Sequence, residues 1–199
     1  KPNTSRIIRE RTVLLAEMVG TGDWSAIQGE IESSGKPEGY LSVLLVLAGA
    51  TRNDAALPTI MKSMESMPLK SLEALARNGG RAAFEHLRSI WSNSTDSGTK
   101  YGVIQSMRHF PPRDAEGFLH ASLTTETDPE SMLELVTELR RYPSDATIRA
   151  LILCAKSAVA GAAHRDVALR AANSLTGLAH PAAVIELAQL AFDDSAPET

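Results

Sequence analysis

The ends of alternate segments in this chain repeat. "LAGATRNDAALPTI", "LARNGGRAAFEHL", "MRHFPPRDAEGFL", "LRRYPSDATIRAL" and "LTGLAHPAAVIEL" align so that Leu47, Leu75, Met107, Leu139 and Leu175 share one position, at intervals of 28, 32, 32 and 36 residues. A unit of that length holds two short helices and cannot bury both faces of either. Neighbouring units must therefore stack and share a continuous, elongated core. This period constrains the fold more than any single motif does.

Each break between segments has a chemical cause. Ser5 caps a first helix that ends at Gly20, Asp23 opens a second that Gly35 closes, and Pro37 starts "EGYLSVLLVLAG". Asn53 or Asp54 caps "AALPTIMKSM", with Pro58 tolerated in its first turn, and Pro68 starts "LKSLEALARNGG". The same signals continue through Pro111-Pro112, Asp128-Pro129, Tyr142-Pro143-Ser144, Gly161 and His180-Pro181. The reading is all-α: about twelve helices of roughly 10–16 residues in stacked antiparallel pairs. No stretch alternates with the period of a strand. "SNSTDSG" at 92–98 reads as a connection between repeats, so one domain over residues 1–199 is expected, with a frayed tail from about 194. In the last unit, small residues (Ala171, Ala172, Ala182, Ala183, Ala188, Ala191) allow close helix approach. Leu169, Leu175, Leu178, Val184, Leu187 and Leu190 are expected to supply the apolar ridges.

The last unit, "LRAANSLTGLAHPAAVIEL", resembles the HEAT repeat, and more narrowly the HEAT-like repeats named after phycobilisome lyases. Those units carry Arg-Ala-Ala, a following Leu, a Gly turn and "PAAV" opening the next helix. The likeness covers about 30 residues, 165–194, and His180 stands where Asp often precedes the turn proline. It implies a right-handed α-α superhelix used as a binding scaffold. Such solenoids also include DNA glycosylases, which hold a duplex in a basic concave face, and lyase-like helpers that handle a lipid or cofactor. Fold alone does not choose among these.

Composition argues against several classes. Net charge is −4, so a polyanion would need a local basic patch, and nucleic acid is not the expected partner. The longest apolar run, "LSVLLVLAGA" at 41–50, is a core helix and too short to cross a bilayer. A single cysteine, Cys154, makes neither a disulfide nor a cysteine-rich zinc site and reads as a packed, inert thiol. The chain begins at Lys1 rather than Met and reads as a processed protein or an excised segment, so no compartment is assigned.

Seats for catalysis are not visible. The five histidines form no His-x-x-x-His pair, so no metal is expected. "GEIESSGKP" at 29–37 has the wrong spacing for a phosphate loop, and there is no Gly-x-Ser-x-Gly elbow. Glu116 and His120 lie four apart on one helix face and read as a surface contact. No catalytic residue and no cofactor are expected.

One constellation remains. Arg77, Arg108, His109, Arg140 and Arg141 fall at equivalent places in successive units, and regular stacking would align them as a ladder. Cations in a last helical turn meet the helix dipole favourably, which explains them without function. The functional reading is a basic ridge that receives an acidic segment of another protein, with Trp91, Tyr101, Phe110 and Tyr142 nearby. The acids Glu126, Asp128, Glu130, Glu134 and Glu138 precede Arg140 and read as ordinary helix charge placement. The expected function is a non-catalytic protein-interaction scaffold binding through its inner helix layer.

Overall fold

The computed structural model describes residues 24–33, 37–156, 162–178, 181, 183–185 and 188. The expected first helix from Ser5 to Gly20, the caps at Asp23 and Gly35, the break at Gly161, the His180 turn and the tail lie outside the described residues. Among the described residues there are ten α-helices: α1 (Ser25–Glu32), α2 (Glu38–Ala50), α3 (Leu57–Lys62), α4 (Pro68–Asn78), α5 (Arg81–Asn93), α6 (Ser97–Ser106), α7 (Pro112–Thr125), α8 (Pro129–Leu139), α9 (Asp145–Lys156) and α10 (Ala162–Thr176). Short 3-10 turns precede α3 and follow α6. No strand occurs among the described residues. No described helix is long and apolar enough to cross a membrane. The chain divides into two compact units, Lys1–Phe110 and Pro111–Thr199, at the Pro-Pro break.

In the first unit α4 packs against α2 on one side and α6 on the other. Sequence decides how close these helices come. A Cβ built on Gly49 of α2 would stand 2.0 Å from the carbonyl oxygen of Ala74 on α4, so the two backbones are nearly in contact there. A Cβ on Gly102 of α6 would stand 2.5 Å from Cδ1 of Leu72. The interior is filled by Leu44, Leu45, Ile60, Leu72, Leu75, Leu87, Ile104 and Met107. Phe84 and Phe110 meet edge to face at 5.1 Å. Gly79, at φ +65°, ends α4 in the left-handed conformation that glycine adopts freely. The buried Asn78 accepts from the backbone N–H of Gly80 (3.1 Å) and donates to the carbonyl of Asn53 (3.5 Å), tying that end to the turn before α3.

The second unit holds α7–α10. α8 packs against both α7 and α10, α10 against α9, and α7 touches α9. Leu119, Leu135, Leu139, Leu151, Val167, Ala171 and Leu175 make its core. Asp128 caps α8, accepting from the Ser131 backbone N–H (2.9 Å) and hydroxyl (2.7 Å).

Of the five repeat anchors, Leu75, Met107, Leu139 and Leu175 are buried, whereas Leu47 is only half-buried. α2 is apolar nearly all round, and its interior stripe runs through Tyr40, Leu44, Leu45, Ala48 and Gly49, one position off the anchor. Leu169 and Val184, expected as packed ridges, are exposed. Their helical positions are apolar in type but face away from Val167, Ala171 and Ala183, which carry the packing. Two helices are shorter than expected, α1 having 8 residues and α3 having 6. Asn53 caps a 3-10 turn, through the Ala55 N–H at 2.9 Å, that takes up the residues before α3.

The polar stretch 92–98 is shorter as a loop than its composition suggests. Ser92 and Asn93 finish α5, and Asp96 caps α6 by accepting from the Thr99 backbone N–H at 2.7 Å. The Thr99 hydroxyl first, and then its N–H, hold the Asp96 carboxyl below the usual aspartate range. Because the folded-state value is depressed, this stabilisation is full above the ordinary aspartate pKa and fades as pH falls through the folded value. Asp96→Ala is thus expected to lower the melting temperature at pH 7, and the gap to the parent should close in acid. A gap that persists unchanged under acid conditions would show that the carboxylate is not what caps α6.

Candidate functional site

The five residues expected as a ladder fall into two groups. Arg77, in the last turn of α4, and Arg108 and His109, in the 3-10 turn after α6, belong to the first unit. α4 packs against that turn, and a Cβ on Gly79 would lie 3.8 Å from the His109 carbonyl oxygen. All three side chains are exposed at this one end of the helix pair. Arg77 reaches back to Glu73 at 3.5 Å, a carboxylate that Lys70 also holds at 2.9 Å. The Lys70 hydrogen bond is the main reason the Glu73 carboxyl sits below its usual range. Of the aromatics named beside the ladder, Trp91 and Phe110 are core, Tyr142 is half-buried and Tyr101 is exposed.

In the second unit the neighbours Arg140 and Arg141 part company. Arg141 Nε lies 3.0 Å from Oε1 of Glu138, whose side chain is only 2% exposed. Glu138 is therefore a buried carboxylate, and Arg141 stands over it as counter-ion. Arg140 closes α8 as its C-cap and points elsewhere. It enters a groove of about 400 Å³ between α8 and α10. Leu133, Thr137 and Arg140 line it from α8, one helical stripe; Asp166, Leu169, Arg170, Asn173 and Ser174 line it from α10.

Among the described residues neither Arg140 nor Arg170 makes an ion pair, and both are exposed. The Arg140 guanidinium lies across Gly177, where a Cβ would come within 3.0 Å of Nε and 3.1 Å of Cζ. Leu169, 61% exposed, offers an aliphatic surface beside the two cations. Arg170 and Asp166 are not singled out by the sequence, and Leu169 stands there only as an expected packed ridge. Their only signal is a mixed polar and apolar stripe on α10, which a solvated face produces equally well.

A second polar cluster joins α7 to α9. Glu116 Oε1 accepts from the Ser144 hydroxyl and from Thr147 Oγ1 (3.0 Å), and His120 Nε2 lies 2.9 Å from the same Thr147 oxygen. Glu116 and His120 themselves are 3.8 Å apart. The surface contact expected of this pair is in place, but half-buried and extended across two helices. The arrangement does not prepare a nucleophile. Ser144 Oγ accepts from the Thr147 backbone N–H at 3.1 Å as a helix cap, its proton goes to Glu116, and His120 reaches Thr147, not Ser144. Burial pushes the Cys154 thiol above its usual range, which keeps it from ionising at neutral pH. Among the described residues no three His, Cys, Asp or Glu side chains gather as a metal site.

The chain matches no protein-family model, no curated protein and no solved structure.

Proposed function

We propose that this chain is a HEAT-like α-solenoid acting as a non-catalytic scaffold, and that it binds an acidic segment of another protein in the groove between α8 and α10. The solenoid reading is supported within each unit by the packing of alternate helices, α2 with α4, α4 with α6 and α8 with α10, together with the 28–36-residue recurrence of anchors. The binding reading rests on one observation: Arg140 and Arg170 flank an open groove with no acidic partner among the described residues, beside an exposed leucine. Guanidinium groups pair with carboxylates through forked hydrogen bonds, and an apolar neighbour excludes water from the contact. Arg77, Arg108 and His109 supply a second basic surface on the first unit.

The test separates binding from stability. Partners are co-purified from the native cell with the parent protein and then titrated against purified variants. Arg140→Glu with Arg170→Glu should weaken binding by about tenfold or more per arginine, about 1.4 kcal/mol each, and flatten its salt dependence. The melting temperature should barely move, because exposed charges contribute little to folding. Arg141→Glu should do the reverse, lowering stability by confronting the buried Glu138 while leaving binding near the parent level. A partner held as tightly by the double variant as by the parent would remove the groove as the binding surface.

A further inference from the structure

We infer that the α8–α10 groove reads the order of charges along its ligand, accepting an extended segment of a partner protein that is acidic at one end, aliphatic in the middle and basic at the other. This rests on the groove being the binding surface.

Arg140 caps the C-terminal end of α8, and its guanidinium lies over Gly177, just past the C-terminal end of α10. The helices are thus parallel, and residues along them can be matched level by level. At about 1.5 Å per residue, Asp166 stands about 16 Å before the Gly177 level. Leu133, seven residues before Arg140, comes level with Leu169 and Arg170. The lining is therefore ordered: Asp166 at one end, Leu133 and Leu169 with Arg170 in the middle, Arg140 at the far end.

Charge follows the same order. Asp166 is exposed and makes no ion pair among the described residues, so its carboxylate is open to a ligand at this end of the groove, with Arg170 one turn further on. The helix ends oppose this gradient, but each carries about half an elementary charge and acts only over its last turn, so the full side-chain charges prevail. An extended chain advances about 3.3–3.6 Å per residue, which makes the distance from Asp166 to Arg140 about five residues. A carboxylate over Arg140 and Arg170 is attracted, whereas one over Asp166 is repelled. Two acidic ends cannot be accommodated in either chain direction, and an acid-to-base gradient can.

Two terminally blocked hexapeptides of identical composition test this by nuclear magnetic resonance titration. One reads lysine-serine-leucine-serine-glutamate-glutamate; the other, glutamate-serine-lysine-leucine-serine-glutamate, has acid at both ends. The parent protein should bind the first about tenfold more tightly. Asp166→Lys should invert that preference, and Asp166→Asn, which alters the fold even less, should reduce it to within about threefold. If both peptides bind the parent alike, and Asp166→Lys strengthens both by the same factor, the groove binds acid without reading order and the inference is overturned. If neither peptide binds the parent, the groove reading itself fails along with it.

Discussion

Replacing Gly49 by alanine is expected to disrupt the first unit. The new Cβ would stand 2.0 Å from the Ala74 carbonyl oxygen, 2.7 Å from its carbonyl carbon and 2.8 Å from its Cα. All three are backbone atoms of α4, so no side chain can rotate away, and relief requires the helices to separate along the closest packing in the unit. Overpacking a core ordinarily costs about 1–3 kcal/mol. Here the cost should reach or exceed the upper figure, because helix separation also strips contacts from Leu44, Leu45, Leu72 and Leu75. Gly29 and Gly117 are the internal controls, since a Cβ on either meets nothing within 4 Å. Alanine at those two helical sites should raise stability by about 0.5–1 kcal/mol through reduced backbone entropy in the unfolded chain. Chemical denaturation of the three variants decides the matter. A Gly49→Ala protein as stable as the controls would mean that α2 and α4 are not in contact at this point.

Leu139→Ala is expected to cost about 2–5 kcal/mol, the range for a fully buried leucine whose cavity collapses only partly. Leu139 is 0% exposed and Leu175 is 1% exposed, so Leu175→Ala should lose a similar amount. Leu47→Ala should lose clearly less, because that anchor is half-buried. Denaturant midpoints at unchanged slope check the ranking. Losses below about half a kcal/mol at both Leu139 and Leu175 would show that the repeat register does not mark the core.

How far the sequence carried can be judged from particular residues. The starts at Pro37, Pro68, Pro112 and Asp128-Pro129 were legible because they act locally. Proline removes a donor and fixes φ, and aspartate caps within three residues. Four of the five anchors were legible for a related reason: a buried stripe recurs once per turn, and the repeat recurs once per pair of helices. Leu47 and Leu169 were misplaced because residue type does not say which of several apolar positions faces inward when the helix is apolar on more than one side. The burial of Glu138 was not legible at all. A carboxylate near a helix end looks solvated until a neighbouring helix covers it.

The candidate site divides along the same line. Sequence alone placed Arg140 and Arg141 together at a helix end, as it placed Arg77, Arg108 and His109, since all that requires is counting along a helix. It could not part Arg140 from Arg141, which depends on Glu138 being buried beneath one and Gly177 lying beneath the other. Nor could it bring Arg170, about thirty residues away, to the same groove as Arg140. Helix type and caps follow from interactions within a few residues and so are written in local order. Which side chains share a groove depends on how closely α8 and α10 approach and in which direction they run, and only the packed helices decide that.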